Sequence, residues 1–203
     1  MTSTRKVMPV VRGSKRTSQT RGRCLVDYEL EQLVQQGTIL LSQGTSLAPS
    51  QIQPASFEPR LADEAYLLDT ETIGRIRPHA DATIEQIIHE IPRHQKTKLD
   101  ITQGEKLQVG HTYLVRIQEQ LRLNDPSMRV KFSPRSSTGR VFLRTRLLAD
   151  YNACIDEAQP IRHKETPLAL WLLLEPLAFP IVVRPGQSLT QGRFFVGYDA
   201  RLS

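Results

Sequence analysis

Cysteine is scarce in this 203-residue chain: there are two, Cys24 and Cys154, and neither lies in a C-x-x-C pair. That spacing argues against a disulfide framework and against a structural zinc site, and points to a reducing, cytoplasmic-type compartment. Long apolar runs are also missing. The longest, Pro167 to Leu174, has the length of a strand and falls well short of the roughly 20 residues a membrane-spanning helix needs. Acidic side chains are absent from the first 23 positions, which hold seven of the 27 Lys and Arg residues; the other 180 residues carry 20 bases and 21 acids. The formal charge of +6 therefore belongs to a leader, and the near-neutral body lacks the clustered bases of a nucleic-acid footprint.

The leader, MTSTRKVMPVVRGSKRTSQTRGR, has no aromatic residue and too little apolar surface to offset ordering entropy, so residues 1–23 are expected to be a disordered basic segment ahead of one domain over 24–203. No 7–15-residue apolar core of a secretory signal is present. Three readings stand for it: a solvated leader, an organelle transit peptide, or an arm that touches polyanions.

Several catalytic signatures are missing. His89-Glu90-Ile91-Pro92-Arg93-His94 places its histidines at i and i+5 with a proline between, whereas a zinc-protease helix needs i and i+4. No H-x-E followed by P-C-x-x-C occurs, which closes the zinc-dependent route to nucleobase deamination. Walker A, G-x-G-x-x-G and G-x-S-x-G motifs are absent as well.

What is present reads as many short strands. Segments rich in Val, Ile, Leu, Tyr and Phe recur at Ala65–Leu68, Lys106–Gln108, Thr112–Gln118, Arg129–Phe132, Val141–Leu148, Leu168–Leu174, Ile181–Val183 and Arg193–Gly197, with most of the 13 prolines and 11 glycines between them. Thr112–Gln118 alternates, with Tyr113, Val115 and Ile117 on one face. One helix is expected over Tyr28–Gln36, capped by Asp27 and ended by Gly37, with Leu30, Leu33 and Val34 as its apolar stripe. A second short helix is expected within 78–90, with Asp81 as cap. The pattern predicts an all-β sandwich, jelly roll or barrel carrying one or two short helices.

The chemistry concentrates in Lys131-Phe132-Ser133-Pro134-Arg135-Ser136-Ser137-Thr138-Gly139-Arg140. A strand ends at Pro134, small hydroxyl residues follow between two arginines, and Gly139 is expected to turn the backbone. Hydroxyls, backbone N–H groups and guanidinium forks together suit phosphate.

The order P-R-S-S-T-G-R resembles the phosphate-binding motif of the dCTP deaminase and dUTPase superfamily. Gln51-Ile52-Gln53-Pro54-Ala55-Ser56-Phe57-Glu58-Pro59-Arg60-Leu61 resembles the "QPAS-x-(D/E)-x-RL" opening of dCTP deaminases, above all the N-terminal half of the two-domain bacterial form. Thr145–Asp150 up to Ile155-Asp156, Leu172-Leu173-Leu174-Glu175, Val183-Arg184-Pro185-Gly186-Gln187 and Leu189-Thr190-Gln191-Gly192-Arg193-Phe194 resemble later segments of that half, in the same order.

The resemblance implies a distorted jelly roll, or β-clip, of the dUTPase-like kind, assembled as a homotrimer with sites between subunits. It implies zinc-independent deamination of dCTP to dUTP, with Glu175 as general base on the water that attacks C4. Standing at the end of the run Leu168–Leu174, Glu175 is expected to be partly desolvated, which suits proton transfer. Arg140 is implied as the arginine that reaches a neighbouring subunit's site. Arg135, Ser136 and Ser137 are the implied phosphate binders, with Asn152, Asp156 and Gln191 as further substrate contacts. Mg²⁺ is expected with the triphosphate, and no zinc. The expected partner is dCTP or dUTP, with neither membrane nor nucleic acid. Two alternatives remain open: a dUTP pyrophosphatase on the same scaffold, or a non-catalytic nucleotide-binding or assembly module. Asn152-Ala153-Cys154-Ile155-Asp156-Glu157-Ala158 lacks the Pro-Gly turn of "A-H-x-I-D-P-G", and the sequence ends at Ser203 without a Tyr/Lys/Gln-rich closing tail. Phosphate binding is thus more firmly implied than turnover, and a partner that completes the site is expected.

Overall fold

A computed structural model describes residues 22–42, 44–69, 76–161 and 166–197. The chain runs β1 (Arg23–Cys24), α1 (Asp27–Gln35), β2 (Ile39–Leu40), β3 (Ile52–Gln53), β4 (Ser56–Phe57), β5 (Leu61–Leu68), α2 (Ile84–Glu90), β6 (Lys96–Asp100), β7 (Glu105–Leu107), β8 (Thr112–Leu121), β9 (Arg129–Pro134), α3 (Ser136–Arg140), β10 (Leu143–Ala149), β11 (Glu157–Ala158), β12 (Leu168–Pro176), β13 (Ile181–Val183) and β14 (Thr190–Val196). The expected leader lies outside the described residues except for Gly22 and Arg23. Arg23 stands in β1, paired with Val196 of β14, and its guanidinium meets Glu29 at 2.6 Å.

The strands form two antiparallel sheets and a small ribbon. The first sheet runs β11-β9-β14-β4-β3, with β1 also on β14; the second runs β10-β12-β8-β5-β6, with β2 also on β8; β13 pairs β7. Alternation on β8 decides the layering. Tyr113, Val115 and Ile117 point into the main core with Phe57, Leu61, Val130, Leu147, Leu172 and Phe194. Leu114, on the opposite face, is fully buried too, because α2 covers that side: Ile84, Ile88 and Ile91 pack on Leu68, Leu114, Leu148 and Trp171.

The helices start one or two residues away from the expected caps. α1 begins at Asp27, with the Val26 N–H donating to the Glu29 carboxylate at 3.2 Å, so Glu29 does the capping and Asp27 is already helical. Gly37 takes the left-handed conformation (φ 72°) expected of it. α2 is capped by Thr83 rather than Asp81: the Thr83 hydroxyl accepts the Gln86 N–H and the Gln86 amide accepts the Thr83 N–H.

A larger difference falls on the Ser/Thr segment. Ser136–Arg140 is a short helix, and Gly139 lies inside it. The chain turns later, at Phe142 (φ 53°), so Val141 and Phe142 are exposed turn residues rather than the start of β10. No helix among the described residues is long and apolar enough to cross a membrane.

Candidate functional site

Three of the segments singled out in the sequence converge on one place. Arg135, the residue ahead of α3, sends Nε to Glu58 at 3.1 Å and Nη1 to the Ser188 carbonyl at 3.0 Å. Its backbone N–H donates to the Leu189 carbonyl, as does the Thr138 hydroxyl at 2.8 Å. Ser188 in turn donates its hydroxyl to the Glu58 carbonyl. The strap around 186–189 is zipped to Leu61 by two backbone bonds. Residues 56–61, 133–140 and 186–191 thus form a single unit.

Beneath that unit lies a carboxylate not foreseen from the sequence. Glu119 of β8 is fully buried and accepts the Arg60 backbone N–H (2.7 Å), Arg60 Nε (2.8 Å) and Gln51 Nε2 (2.8 Å). Three donors converge on the carboxylate and compensate its burial, while Arg60 Nη2 is buried with no hydrogen-bond partner among the described residues. Gln51 and Arg60 of the Gln51–Leu61 motif therefore build the scaffold. Only their joint presence in one motif signalled a role.

Above it, the groups expected to meet phosphate are exposed. Ser136 and Ser137 stand on the surface at the start of α3, and Arg140 at its end has no side-chain partner among the described residues. Arg135 is half-engaged: Glu58 holds its Nε and the Ser188 carbonyl its Nη1, and the side chain stays 35% exposed.

Glu175 projects from β12 opposite Arg144 of β10, whose Nη1 lies 2.9 Å from its Oε2; the Thr112 hydroxyl reaches its other oxygen at 3.4 Å. The side chain is 24% exposed, so the carboxylate sits partly desolvated at the rim of the sheet. The Leu177 N–H bonds to the Phe142 carbonyl, which brings the chain just beyond α3 alongside the strand end that carries Glu175. No contact joins Arg140 to Glu175 among the described residues. Asp156, in the loop just before β11, lies beside β10, with Oδ1 accepting the Leu147 N–H at 2.7 Å and Oδ2 3.0 Å from Arg146 Nε. Burial pushes its carboxyl up from the usual aspartate range, against the Leu147 N–H and Arg146. Its backbone is left-handed (φ 61°), which a non-glycine residue seldom adopts. Where the Pro-Gly turn is missing, Glu157–Ala158 instead form β11 and pair with β9. Arg144 and Arg146 alternate on the exposed face of β10, so the two carboxylates share a face; that i, i+2 pair was visible in the sequence but carried no signal there.

Two other expected contacts are occupied. Asn152 is buried, donating to the Asp150 carbonyl (2.8 Å) and accepting the Gln159 N–H (2.7 Å), so both ends of its amide pin the loop. Gln191 lies on β14, a central strand, and reaches Ser133 Oγ at 3.3 Å and Ser56 Oγ at 3.4 Å.

Two open-edged antiparallel sheets, with the short Ser136–Arg140 helix between β9 and β10, make up a dUTPase-like β fold. The chain belongs to the family of the 2′-deoxycytidine 5′-triphosphate deaminase N-terminal domain, which matches residues 22–198. Among solved structures it is similar to 2′-deoxycytidine 5′-triphosphate deaminase from Agrobacterium tumefaciens, with a TM-score of 0.75 and 28% identity over 87% of this chain and 50% of that one. The chain spans about half the length of that protein. No curated protein sequence matches it significantly.

Proposed function

We propose that this domain binds a pyrimidine deoxynucleoside triphosphate and deaminates dCTP to dUTP. The observation that carries the reading is Glu175, a partly desolvated carboxylate held between Arg144 and Thr112 at the sheet rim, in a chain of the dCTP deaminase N-terminal family. A carboxylate so placed accepts a proton from water as the water oxygen bonds to C4, and returns a proton to the departing amine; the balance is dCTP plus water to dUTP plus ammonia. Ser136, Ser137, Arg135 and Arg140 meet the phosphates, and Asp156 and Gln191 lie on the substrate side. Among the described residues no three His, Cys, Asp or Glu side chains gather to hold a metal. Mg²⁺ is expected to arrive with the triphosphate, coordinated by phosphate oxygens and water.

The site is completed by a second copy in a homotrimer. Arg140 is free to reach outward, and beside it lies an exposed apolar patch of Val141, Phe142, Leu177 and Phe179, with the two phenyl rings edge to face at 6.5 Å. Such a patch at the mouth of a site suits burial between subunits.

The test is incubation with dCTP and dUTP, following ammonia and pyrophosphate, with Glu175→Gln as control. Ammonia from dCTP that disappears in E175Q supports deamination. Pyrophosphate from dUTP instead selects the pyrophosphatase reading. A second reading, a non-catalytic nucleotide-binding module, is favoured by the internal engagement of Arg135 and Asn152. It predicts thermal stabilisation by dCTP with no product.

A further inference from the structure

Arg135 is expected to bind phosphate, yet its Nε and Nη1 already meet Glu58 and the Ser188 carbonyl. A guanidinium has five N–H donors in one rigid plane. Holding that plane at two of its nitrogens fixes the direction of the third, Nη2, which has no hydrogen-bond partner among the described residues, in a side chain that stays 35% exposed. Glu58 is nearly enclosed, at 6% exposure, so it does not follow the guanidinium by swinging outward. Its own backbone is anchored twice, by its N–H on the Gln51 carbonyl and by the Ser188 hydroxyl on its carbonyl. Gln51 ties the same segment to Glu119.

We propose that Glu58 is a positioning residue: resting on the phosphate-binding reading of the Arg135–Arg140 segment, it orients Arg135 so that the unengaged Nη2 of the guanidinium faces the nucleotide's phosphates. Ser188 is the second point of the clamp. The acidic residue inside the Gln51–Leu61 motif is thereby linked to the arginine that opens the Ser/Thr segment. Without the clamp Arg135 must lose rotamer freedom on binding, at a cost that pre-orientation removes. The charged groups around Glu58 are Arg135 and, on its own segment, Arg60, whose guanidinium is taken by Glu119; the strap residues 186–189 carry no titratable side chain. Burial pushes the Glu58 carboxyl up and Arg135 opposes the shift, so acidification neutralises Glu58 and releases the clamp.

The test measures binding of Mg²⁺-tripolyphosphate, Mg²⁺-dCTP and deoxycytidine to the full chain by calorimetry, in wild type, Glu58→Gln, Arg135→Ala and the double variant. The expected result is a loss of about ten-fold in affinity for both phosphate ligands in E58Q, the scale on which outer carboxylates that orient a ligand-binding side chain act. Deoxycytidine binding stays unchanged. In the R135A background, E58Q changes affinity by less than about two-fold, because Glu58 acts only through Arg135. Equal affinities of E58Q and wild type, or effects that multiply in the double variant, overturn the proposal. If E58Q does not fold, the pH profile of the wild type decides: affinity that weakens on acidification more steeply than in R135A supports the clamp, and parallel profiles overturn it. A wild type that binds neither phosphate ligand sinks the proposed function and this role together. Binding without ammonia release sinks deamination alone.

Discussion

Glu175 and Arg144 face each other across the β10–β12 ladder, with Arg144 Nη1 2.9 Å from Glu175 Oε2. They are direct register partners, so backbone pairing holds the carboxylate and guanidinium side by side on the exposed face of the sheet. Arg144 is 58% exposed, and an ion pair so open to water contributes less than about 1 kcal/mol to stability. In the proposed deamination its value is orientation of the Glu175 carboxylate. Arg144→Ala is then expected to leave the thermal midpoint nearly unchanged while lowering kcat for dCTP, because a general base must lie within hydrogen-bond reach of the proton it takes. Steady-state kinetics beside a melting curve separates the two effects.

Glu119 behaves in the opposite way. It is fully buried, and three hydrogen bonds from Arg60 and Gln51 converge on it. Glu119→Ala strands a largely buried guanidinium and is expected to cost about 3–5 kcal/mol, the penalty of breaking a buried pair. Urea denaturation measures it. An unchanged midpoint would show that the cluster does not hold residues 51–61 in place.

Asp150 governs the seating of α2. Its Oδ1 accepts the first helical N–H, from Ile84, at 2.8 Å, and Oδ2 accepts the Ala169 N–H at 3.3 Å. Asp150→Ala is expected to destabilise the fold by about 1–3 kcal/mol by leaving buried N–H groups unpaired.

The same residue sets a pH dependence. Burial holds the Asp150, Asp156 and Glu58 carboxyls above their ordinary range. A folded-state value raised above the unfolded one means the folded protein binds the proton more tightly. The associated stability is present in full below the unfolded value of about 4 and is lost as pH rises through the raised folded value. Stability measured from acid towards neutral pH should therefore carry a falling component, and Asp150→Asn should flatten it.

Gly192 is held to its identity by a close approach. It pairs with Phe132 across β9 and β14, and a Cβ there would lie 2.8 Å from the Phe132 ring. Gly192→Ala is expected to cost about 1–3 kcal/mol through overpacking. Combining it with Phe132→Leu should return part of that loss; additivity in the double-mutant cycle would refute the steric account.

How much of this was readable beforehand depends on how local each signal is. The Leu30–Leu33–Val34 stripe, the alternation of β8 and the ordered motifs are patterns over a few residues, and they sufficed for α1, the longer strands, the all-β class and the family. Strands of two residues, such as β1–β4 and β11, have no period to read and exist only because neighbours complete their hydrogen bonds. The Lys96–Asp100 strand was missed because its exposed, Lys-rich edge lacks an apolar face. Helix α3 escaped notice because Ser, Thr and Gly are poor helix formers and tertiary bonds from Arg135 and Thr138 to the strap override propensity.

Residue types, and with them the chemistry on offer, were settled by the chain: a carboxylate after an apolar strand, and hydroxyls between two arginines. Which charge meets which was decided only in three dimensions. Glu175 meets Arg144 across 31 residues, and Gln51 meets Glu119 across 68. Such pairings depend on strand order and register, which follow from how two sheets bury their apolar faces together, and a shift of one residue would turn every one of these side chains to the other face.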